Sequence, residues 1–263
     1  MSYWVLFLVS MIACSVGFRM YIWFFSVGYG LAIACLSTAL AIGFHNSMGM
    51  AEWIACGLLI VYGLRLSGYL FIREIKSASY RKVLSPEIER SKKMPPAAKI
   101  SLWTACGFLY TLMIIPLYYR LKNHALPDAS LWAGIAVMSI GILMELTADI
   151  QKTAAKKKNS HRFVDRGLYR LVRCPNYLGE LLLWLGVLIT GVRALQGWWQ
   201  WALSCLGYIL IVWIMFSGAR RLEIRQDRNY GNSPEYQEYV KTVPILIPFV
   251  PLYSVKKFRF LIA

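Results

Sequence analysis

Long apolar runs separated by short blocks of charge dominate the pattern along this chain of 263 residues. A helix that crosses a bilayer core needs roughly 20 consecutive apolar residues. With that length as a guide, the chain divides into seven predicted transmembrane helices. They cover Tyr3–Phe18, Met20–Phe44, Met50–Ile72, Ile100–Tyr119, Ala129–Ile150, Tyr177–Val192 and Trp198–Ser217. The pattern therefore predicts an all-α, polytopic membrane protein.

Positive charge is concentrated in alternate connections between these helices. Arg19, residues 73–99, residues 152–173 and the chain from Arg220 onward contain most of the cations, whereas the intervening connections contain few. The positive-inside rule then predicts an N-terminus outside the membrane and a C-terminus in the cytosol. In the first long cytosolic connection, the pair Ser85-Pro86 predicts the start of a short helix.

The composition agrees with a membrane protein. Hydrophobic residues make up 58% of the sequence and the mean hydropathy is +0.49, whereas soluble domains contain roughly 45–50% apolar residues. The formal net charge is +16, but membrane orientation accounts for the clustered cations, so we expect membrane lipids and no nucleic acid as partners. Six cysteines stand apart, with no CxxC pair, and predict neither a metal site nor disulfides.

Two carboxylates interrupt the fifth predicted helix. Glu145 and Asp149, in GILMELTADIQK, lie one turn apart on the same helical face near the cytosolic end. Ionisable groups inside a membrane are costly and mark functional sites. These carboxylates suit hydrogen bonds from ribose hydroxyl groups, or ion pairs with arginines that surround a phosphate. Polar caps that reach water would have the same appearance.

Three arginines precede the sixth predicted helix. Arg166, Arg170 and Arg173 recur at helical spacing, and Pro175 suits the first turn of the helix that follows. A cationic cluster beside the N-terminus of a helix is a typical phosphate site.

The sixth predicted helix then carries a polar stripe. It begins with Asn176 as an amide cap and places Glu180 and Trp184 on the same face. Orientation by the positive-inside rule would explain the arginines but not Glu180. Asn176 and Glu180 together offer donors and acceptors that suit a carboxamide.

The third predicted helix has one polar and aromatic face. It comprises Tyr62, Arg65, Tyr69 and Arg73. A cation beside a tyrosine favours the phenolate that remains after proton donation, so Tyr69 is a candidate general acid. Snorkelling toward the cytosol would explain Arg65 without a function.

The sequence after the seventh predicted helix mixes arginine with aromatic residues. RRLEIRQDR contains Arg221 and Arg225, and YGNSPEYQEYV contains Tyr236. Arginine forks and flat aromatic rings suit phosphate and adenine. A solvated amphipathic helix has a similar composition.

Four stretches together resemble a known family. ADIQK, GLYRLVRCPNYLGELLLW, GARRLE and YQEYVKTVPILIPF are similar to the C-terminal half of the membrane steroid 5α-reductases and related DUF1295 proteins. The resemblance is specific from Glu145 to Phe249 and weak before it. It implies a seven-helix membrane oxidoreductase that holds NADPH in a cytosol-facing cavity of its C-terminal helices.

The resemblance also implies roles for individual residues. Asp149, Asn176 and Glu180 match cofactor-binding positions, the arginines match more loosely, and Tyr69 is the counterpart of a proton-donating tyrosine. We therefore predict that Tyr69 and Arg65 are catalytic. The predicted cofactor-binding residues are Glu145, Asp149, Arg166, Arg170, Arg173, Asn176, Tyr177, Glu180, Trp184, Arg221, Arg225 and Tyr236.

Other functions stay open at this point. The steroid reductases carry a Gln-Glu pair on the second helix, whereas residues 20–44 contain no Gln, Glu or Asp, so the resemblance does not fix a steroid as substrate. The isoprenylcysteine carboxyl methyltransferases, which bind S-adenosylmethionine, share part of the C-terminal pattern, although Asp149, Asn176 and Glu180 follow the reductases. A non-catalytic membrane protein would need none of these carboxylates.

Together with these residues, the resemblance implies an NADPH-dependent reductase that acts on a C=C bond conjugated to a ketone in a lipid-soluble substrate, steroid-like or isoprenoid-like. The chain is expected to form one membrane domain, with residues 1–119 around the substrate and residues 120–263 around the cofactor. No cleavable signal or organelle signature is recognisable in it, which favours a bacterial inner membrane.

Overall fold

The computed structural model describes residues 1–76 and 88–261, and this part of the chain consists of helices and their connections. The longer helices within it are α1 (Tyr3–Cys14), α2 (Val27–Gly43), α3 (Met50–Lys76), α4 (Pro96–Lys122), α5 (Ala129–Lys158), α6 (Pro175–Gly191), α7 (Gly197–Tyr230) and α8 (Pro234–Thr242). The described residues contain no strand, as the all-α prediction requires. The predicted helix start at Ser85 and Pro86 lies outside the described residues.

Four helices in this part of the chain are long and apolar enough to cross a membrane, namely α3, α4, α5 and α7. The segment Tyr3–Phe18 and helix α2 are apolar but shorter, and α6 has 17 residues. The chain is therefore an integral membrane protein by the length and composition of its helices. The seven spans and the orientation of the two ends stay predictions.

Helix α2 begins later than its apolar pattern predicts. Residues Tyr21–Phe25 form a 3-10 helix, and Ser26, with φ −125° and ψ −92°, leaves the helical region. Phe24 is fully buried and its ring lies against Gly17, where any side chain would collide with it. Packing of this aromatic side chain thus takes precedence over continuation of the helix.

Helices α5 and α7 continue beyond their apolar parts. Helix α5 reaches Lys158 and α7 reaches Tyr230, whereas the apolar pattern predicts ends at Ile150 and Ser217. The charged residues there favour helix as strongly as apolar ones do, and water can solvate them. The predicted cofactor residues Arg221 and Arg225 on the extension of α7 are consequently held on regular helix.

The described chain divides into two compact units. The first unit comprises Met1–Ile135 and Val187–Gly207, and the second comprises Ala136–Gly186 and Tyr208–Ala263. The predicted functional division of the chain at residue 120 stays a prediction.

Close backbone contact joins α2 to α3 in the first unit. A Cβ atom at Gly63 would lie 2.4 Å from the carbonyl oxygen of Gly30, and one at Gly30 would lie 2.4 Å from Ser67 Oγ. The Ser67 hydroxyl group donates a hydrogen bond of 2.8 Å to the carbonyl of Val27. Small residues at such crossings allow helices in membranes to approach closely.

A buried arginine organises the residues around the connection between α4 and α5 in the first unit. Arg120 is 1% exposed and donates to Asp128 Oδ2 at 2.5 Å and to the carbonyls of Leu126 and Thr190. Partial burial opposes ionisation of Asp128, but hydrogen bonds from Ser130 and Arg120 outweigh it and lower the pKa of Asp128 to about 2. This ion pair fixes the connection between α4 and α5.

Glu52 has a structural role at the start of α3. Its side chain accepts a hydrogen bond of 3.1 Å from the backbone N–H of Gly49, the residue before the helix. This is the reciprocal half of a capping box, in which a glutamate in the first turn satisfies a backbone donor before the helix.

Candidate functional site

The candidate site is built on a glycine-mediated crossing of α5 and α6 in the second unit. A Cβ atom at Gly141 would lie 2.5 Å from the carbonyl oxygen of Gly179, and one at Gly179 would lie 2.8 Å from the backbone nitrogen of Glu145. Neither helix can therefore carry a larger residue at the crossing. The close approach places Glu145 against the residue that precedes Glu180.

The carboxylates at this crossing are buried. Glu145 is 5% exposed and Glu180 is 8% exposed, while Asp149, one turn beyond Glu145 on α5, is half-buried. Burial of a carboxylate is unfavourable unless other groups compensate for the loss of water. A structural scaffold alone would not require two buried carboxylates at one helix crossing.

Helix α6 begins at Pro175, as the sequence predicts, but Asn176 is not its cap. The carbonyl of Cys174 accepts hydrogen bonds of 3.1 Å from the N–H groups of both Tyr177 and Leu178, so Cys174 precedes the first turn. Asn176 is the second helical residue and is half-buried. Asn176 still lies on the same face of α6 as Glu180, so the predicted stripe keeps both its amide and its carboxylate.

Trp184 and Tyr177 are packed into the same unit. Trp184 is 2% exposed. Tyr177 is half-buried, and a Cβ atom at Gly218 of α7 would lie 3.3 Å from its ring. The predicted aromatic positions of α6 therefore lie within packed surroundings and not on a lipid-facing surface.

The three arginines before α6 do not share a helical face, and the prediction of helical spacing is wrong. Arg166 has extended backbone, Gly167–Arg170 is a 3-10 helix, and the chain turns again before Arg173. Gly167 has φ +62°, and a Cβ atom there would lie 2.4 Å from Gln151 Oε1. A left-handed glycine breaks the helix at this point, because other residues adopt that conformation at a cost.

Arg166 and Arg170 are exposed, whereas Arg173 is buried. Arg173 Nη2 donates to Glu223 Oε1 at 3.1 Å and to the carbonyl of Tyr253. Its Nε has no hydrogen-bond partner among the described residues. The structure thus separates the cluster into two solvent-accessible cations and one that is held by an ion pair.

A hydrogen-bond network connects the start of α6 to the chain after α8. The N–H groups of Arg173 and Cys174 donate to the carbonyls of Pro244 and Ile245, at 2.9 and 3.0 Å. Glu223 on α7 also accepts from the backbone N–H of Val255 at 3.0 Å. The residues that precede Asn176 are consequently held from two sides.

A groove of about 530 Å³ opens between the end of α5 and the connection that follows it. Its lining includes Gln151, Lys158, Asn159, Arg162, Asp165 and Arg166. The side chain of Gln151 accepts the N–H of Leu168 at 2.9 Å, which fixes the connection to the helix. Three cations and one carboxylate in a groove favour an anionic ligand.

Ion pairs hold Arg162 at the mouth of this groove. Its guanidinium lies 2.8 Å from Asp165 and 3.3 Å from Glu235. The hydrogen bond to Asp165 and the two negative charges raise the pKa of Arg162 above its usual value. Arg162 therefore keeps its positive charge at any working pH.

Tyr236 is buried beside α7, while Arg221 and Arg225 are exposed on that helix. The Tyr236 hydroxyl donates to Asp227 at 2.8 Å. Burial, followed by this hydrogen bond, raises the pKa of Tyr236. Tyr236 packs against Phe163 with 5.3 Å between ring centroids, so it belongs to an aromatic cluster around the connection that lines the groove.

The predicted catalytic residues lie on α3, in the first unit. The guanidinium carbon of Arg73 lies 5.3 Å from the centroid of the Tyr69 ring, a cation–π distance. Arg65 and Tyr69 are half-buried. Tyr62 is fully buried, and its hydroxyl lies 3.4 Å from that of Tyr29. Arg73, one turn after Tyr69, thus lies over the ring of the predicted proton donor.

Sequence reasoning missed Glu223 and Gln151. Glu223 lies in an arginine-rich stretch, 50 residues from Arg173, and nothing in the local pattern connects the two. For Gln151 the available signal is Gly167, a glycine within the arginine cluster. A glycine at such a place can adopt a left-handed conformation, and here that conformation brings the backbone close to the Gln151 side chain. In the described ranges, no group of three or more His, Cys, Asp or Glu side chains could hold a metal ion.

The chain is similar in sequence to known proteins. A family model described as a protein of unknown function, DUF1295, matches residues 7–243. The chain is 31% identical over 120 residues to the steroid 5-alpha-reductase DET2 of Arabidopsis thaliana, covering 44% of this chain and 40% of that protein. It is 28% identical over 156 residues to the very-long-chain enoyl-CoA reductase of Dictyostelium discoideum, covering 57% of this chain and 47% of that protein. The chain thus matches less than half of the length of each relative, and no solved structure gives a significant match.

Proposed function

Because the chain belongs to the DUF1295 family, whose model spans most of its length, we propose that it is a membrane-embedded oxidoreductase. It transfers a hydride from NADPH to a C=C bond conjugated to a carbonyl group in a lipid-soluble substrate. Both curated relatives are named as reductases, and the name enoyl-CoA reductase describes an alkene beside a carbonyl. The similarity supports the reaction class, and the identity of the lipid is left open.

The observation that carries this proposal is the pair of buried carboxylates at the α5–α6 crossing. Gly141 and Gly179 bring Glu145 beside the helix that carries Asn176 and Glu180. A nicotinamide carboxamide presents both a donor and an acceptor, which an amide and a carboxylate on one helical face can satisfy together. Binding of a carboxamide would explain why positions 145 and 180 carry glutamate and not an apolar residue.

The surrounding residues suit the rest of the cofactor. Exposed Arg166, Arg170, Arg221 and Arg225 lie in the same unit as the carboxylates, and guanidinium groups bind phosphate with two parallel hydrogen bonds. The buried Nε of Arg173 has no partner among the described residues and is a further donor that a ligand would satisfy. Asp149, half-buried on α5, would accept hydrogen bonds from ribose hydroxyl groups. When bound, NADPH supplies the hydride.

Tyr69 is the proposed proton donor to the substrate. Its hydroxyl would donate a hydrogen bond to the carbonyl oxygen and stabilise the negative charge that develops on that oxygen during reduction. Arg73, 5.3 Å from the ring centroid, and Arg65 on the same predicted face supply positive charge close to Tyr69, where negative charge develops on the substrate oxygen. The resulting enol takes a proton from water at its α-carbon and returns its O–H proton to the Tyr69 phenolate, so the double bond gains one hydride and one proton in total.

The absence of a Gln-Glu pair on the second helix argues against a recognition mode copied from the steroid reductases. Residues 20–44 contain no Gln, Glu or Asp. We propose an apolar substrate, steroid-like or isoprenoid-like, that is recognised without such a pair and enters from the bilayer of a bacterial inner membrane. The polar cofactor enters from the cytosol, where the basic connections are expected to lie.

A ligand-dependent stability assay tests the choice of cofactor. The detergent-purified chain is heated with NADPH, NADH or S-adenosylmethionine at increasing concentration, since a ligand that binds only the folded state raises the melting temperature. The proposal expects a rise with NADPH. A rise with S-adenosylmethionine alone would assign the same residues to a methyltransferase, and no rise with any of the three would favour a non-catalytic protein.

A further inference from the structure

Residues 243–261, which follow α8, expose large apolar side chains although they form no membrane-crossing helix. We name these residues the C-terminal segment. Phe249 is 95% exposed. The other exposed apolar side chains of the segment are Ile247, Val250, Tyr253 and Phe260. On a helix that crosses a bilayer such exposure is expected, because lipid covers it, but here it requires another explanation.

The exposure of Phe249 is a feature of an ordered turn. Phe249 has φ +63°, a left-handed conformation that is costly for a bulky residue. The N–H of Ile245 donates to the carbonyl of Leu252 at 2.9 Å, and the N–H of Leu252 donates to the carbonyl of Val250 at 2.7 Å. These bonds close the turn, in which Phe249 stays almost fully exposed.

The turn is also fixed to the rest of the unit. Pro244 and Ile245 accept hydrogen bonds from Arg173 and Cys174, and Glu223 accepts the N–H of Val255. Ile245, Leu246 and Val255 are at most 1% exposed. Since one side of the segment is packed this firmly, its other side is presented as a defined apolar surface.

The C-terminal segment contributes cations to this surface and no acidic residue of its own. From Val243 to Ala263 the sequence contains no Asp or Glu, whereas Lys256, Lys257 and Arg259 lie within it and are exposed. Lys256 forms an ion pair with Asp227 of α7. Exposed aromatic and aliphatic side chains together with the positive charges of Lys257 and Arg259 complement the headgroup region of an anionic membrane.

The backbone of the segment suits the interface and not the hydrocarbon core. Irregular backbone facing lipid is unstable within the core, because its N–H and C=O groups need partners. Pro244, Pro248 and Pro251 have no N–H to satisfy, and water remains available to the other groups at headgroup depth.

We propose that the C-terminal segment docks on the headgroup region of an anionic bilayer, with Phe249 inserted at its tip and Lys257 and Arg259 against the lipid phosphates. Phe249, Lys257 and Arg259, the residues proposed to contact lipid, are not among the predicted cofactor-binding residues, so loss of docking should leave NADPH binding intact. Its occupant is lipid, and a second copy of the chain is the competing occupant that the test distinguishes.

Fluorescence quenching by lipid tests the proposal in the full-length chain. Cys35 and Cys205 are replaced by alanine, because the other four cysteines are buried and protected from labelling. A bimane label is then attached to F249C, and in a matched control to E238C on the exposed side of α8. Both proteins are placed in nanodiscs that contain brominated phosphatidylcholine, with or without phosphatidylglycerol.

The proposal expects quenching at position 249 and none at position 238. Phosphatidylglycerol should strengthen the quenching, and high salt or the double substitution K257Q/R259Q should remove that increase. Equal quenching at both positions would overturn the proposal, and so would quenching that ignores lipid charge. Shielding of the label at position 249 from lipid, together with disulfide formation between unlabelled F249C chains under mild oxidation, would assign the surface to self-association and would also overturn it.

Discussion

Arg173 and Glu223 form a buried ion pair, with 3.1 Å between Arg173 Nη2 and Glu223 Oε1 and at most 3% of either side chain exposed. Arg173 lies just before α6, the helix that carries Asn176 and Glu180, whereas Glu223 lies on α7. Glu223 also accepts from Val255, and Arg173 donates to the carbonyl of Tyr253. The pair therefore positions the first turn of α6 by connecting it to α7 and to the C-terminal segment.

We expect E223Q to lower both stability and NADPH affinity. Removal of one charge from a buried pair destabilises a protein by about 3–5 kcal/mol, and the glutamine amide would recover part of this through its own hydrogen bonds. Thermal unfolding and NADPH titration provide the two readouts. E235Q is the matched control, because its ion pair with Arg162 is solvent-exposed and should contribute little.

The same variant separates positioning from phosphate binding. If Glu223 acts through Arg173 on the position of α6, affinities for NADPH and NADH should fall by the same factor. A selective loss for NADPH would show that Arg173 contacts the phosphate that distinguishes the two cofactors, and unchanged stability would contradict the structural role of the pair.

We expect G179A to destabilise the protein and to weaken cofactor binding. A Cβ atom at Gly179 would lie 2.7 Å from the carbonyl oxygen of Gly141 and 2.8 Å from the nitrogen of Glu145, so both helices would have to separate. G68A on α3 is the control, because a Cβ atom there meets no atom within 4 Å. G68A should leave the melting temperature unchanged or raise it, since alanine favours helix by about 1 kcal/mol over glycine. Equal effects of the two substitutions would contradict the crossing.

We expect the stabilisation from Asp128 to disappear in strong acid. Its pKa is lowered to about 2, below the value of about 3.9 in an unfolded chain, so the folded protein gains stability when Asp128 is ionised. This gain is complete above the unfolded pKa and falls as the pH drops through about 2.

The difference in melting temperature between the unmodified protein and D128N should therefore be constant from pH 7 to about pH 5 and shrink toward pH 2. D165N removes a carboxylate whose ion pair with Arg162 is more exposed, and should produce a much smaller difference at every pH. A difference for D128N that is independent of pH would rule out the ionised pair.

We expect Y69F to reduce turnover strongly without loss of NADPH binding. The hydroxyl is needed only when charge develops on the substrate oxygen, so its removal should lower kcat by about 100-fold or more. Y62F, two turns earlier on α3, is the comparison. Full turnover in Y69F together with loss in Y62F would move the proton donor to the buried pair formed by Tyr62 and Tyr29.

The sequence was informative where one helix contains the whole pattern. The stripe of Asn176, Glu180 and Trp184 and the start of α6 at Pro175 follow from helical periodicity and proline geometry. The existence of the long helices α3, α4, α5 and α7 was equally predictable, because each contains a long run of apolar residues. Periodicity failed for Arg166, Arg170 and Arg173, because Gly167 adopts a left-handed conformation that spacing does not reveal.

Contacts between distant segments were not predictable in the same way. The pairing of Arg173 with Glu223 spans 50 residues, and the pairing of Gly141 with Gly179 depends on which helices are neighbours. From the sequence alone, Arg120 resembles the other cations of a polar connection. Only the tertiary packing shows that it is buried. These features depend on helix packing, about which local patterns contain little information.

Hydride transfer tests the central claim most directly. The protein is incubated with NADPH that carries deuterium at both hydrogens of the reactive nicotinamide carbon and with a panel of lipid enones, and the products are examined by mass spectrometry. The account predicts one deuterium at the β-carbon of the saturated product, and loss of that product in E180Q. Unreduced enones with NADPH bound, or a reduced product without deuterium, would contradict it.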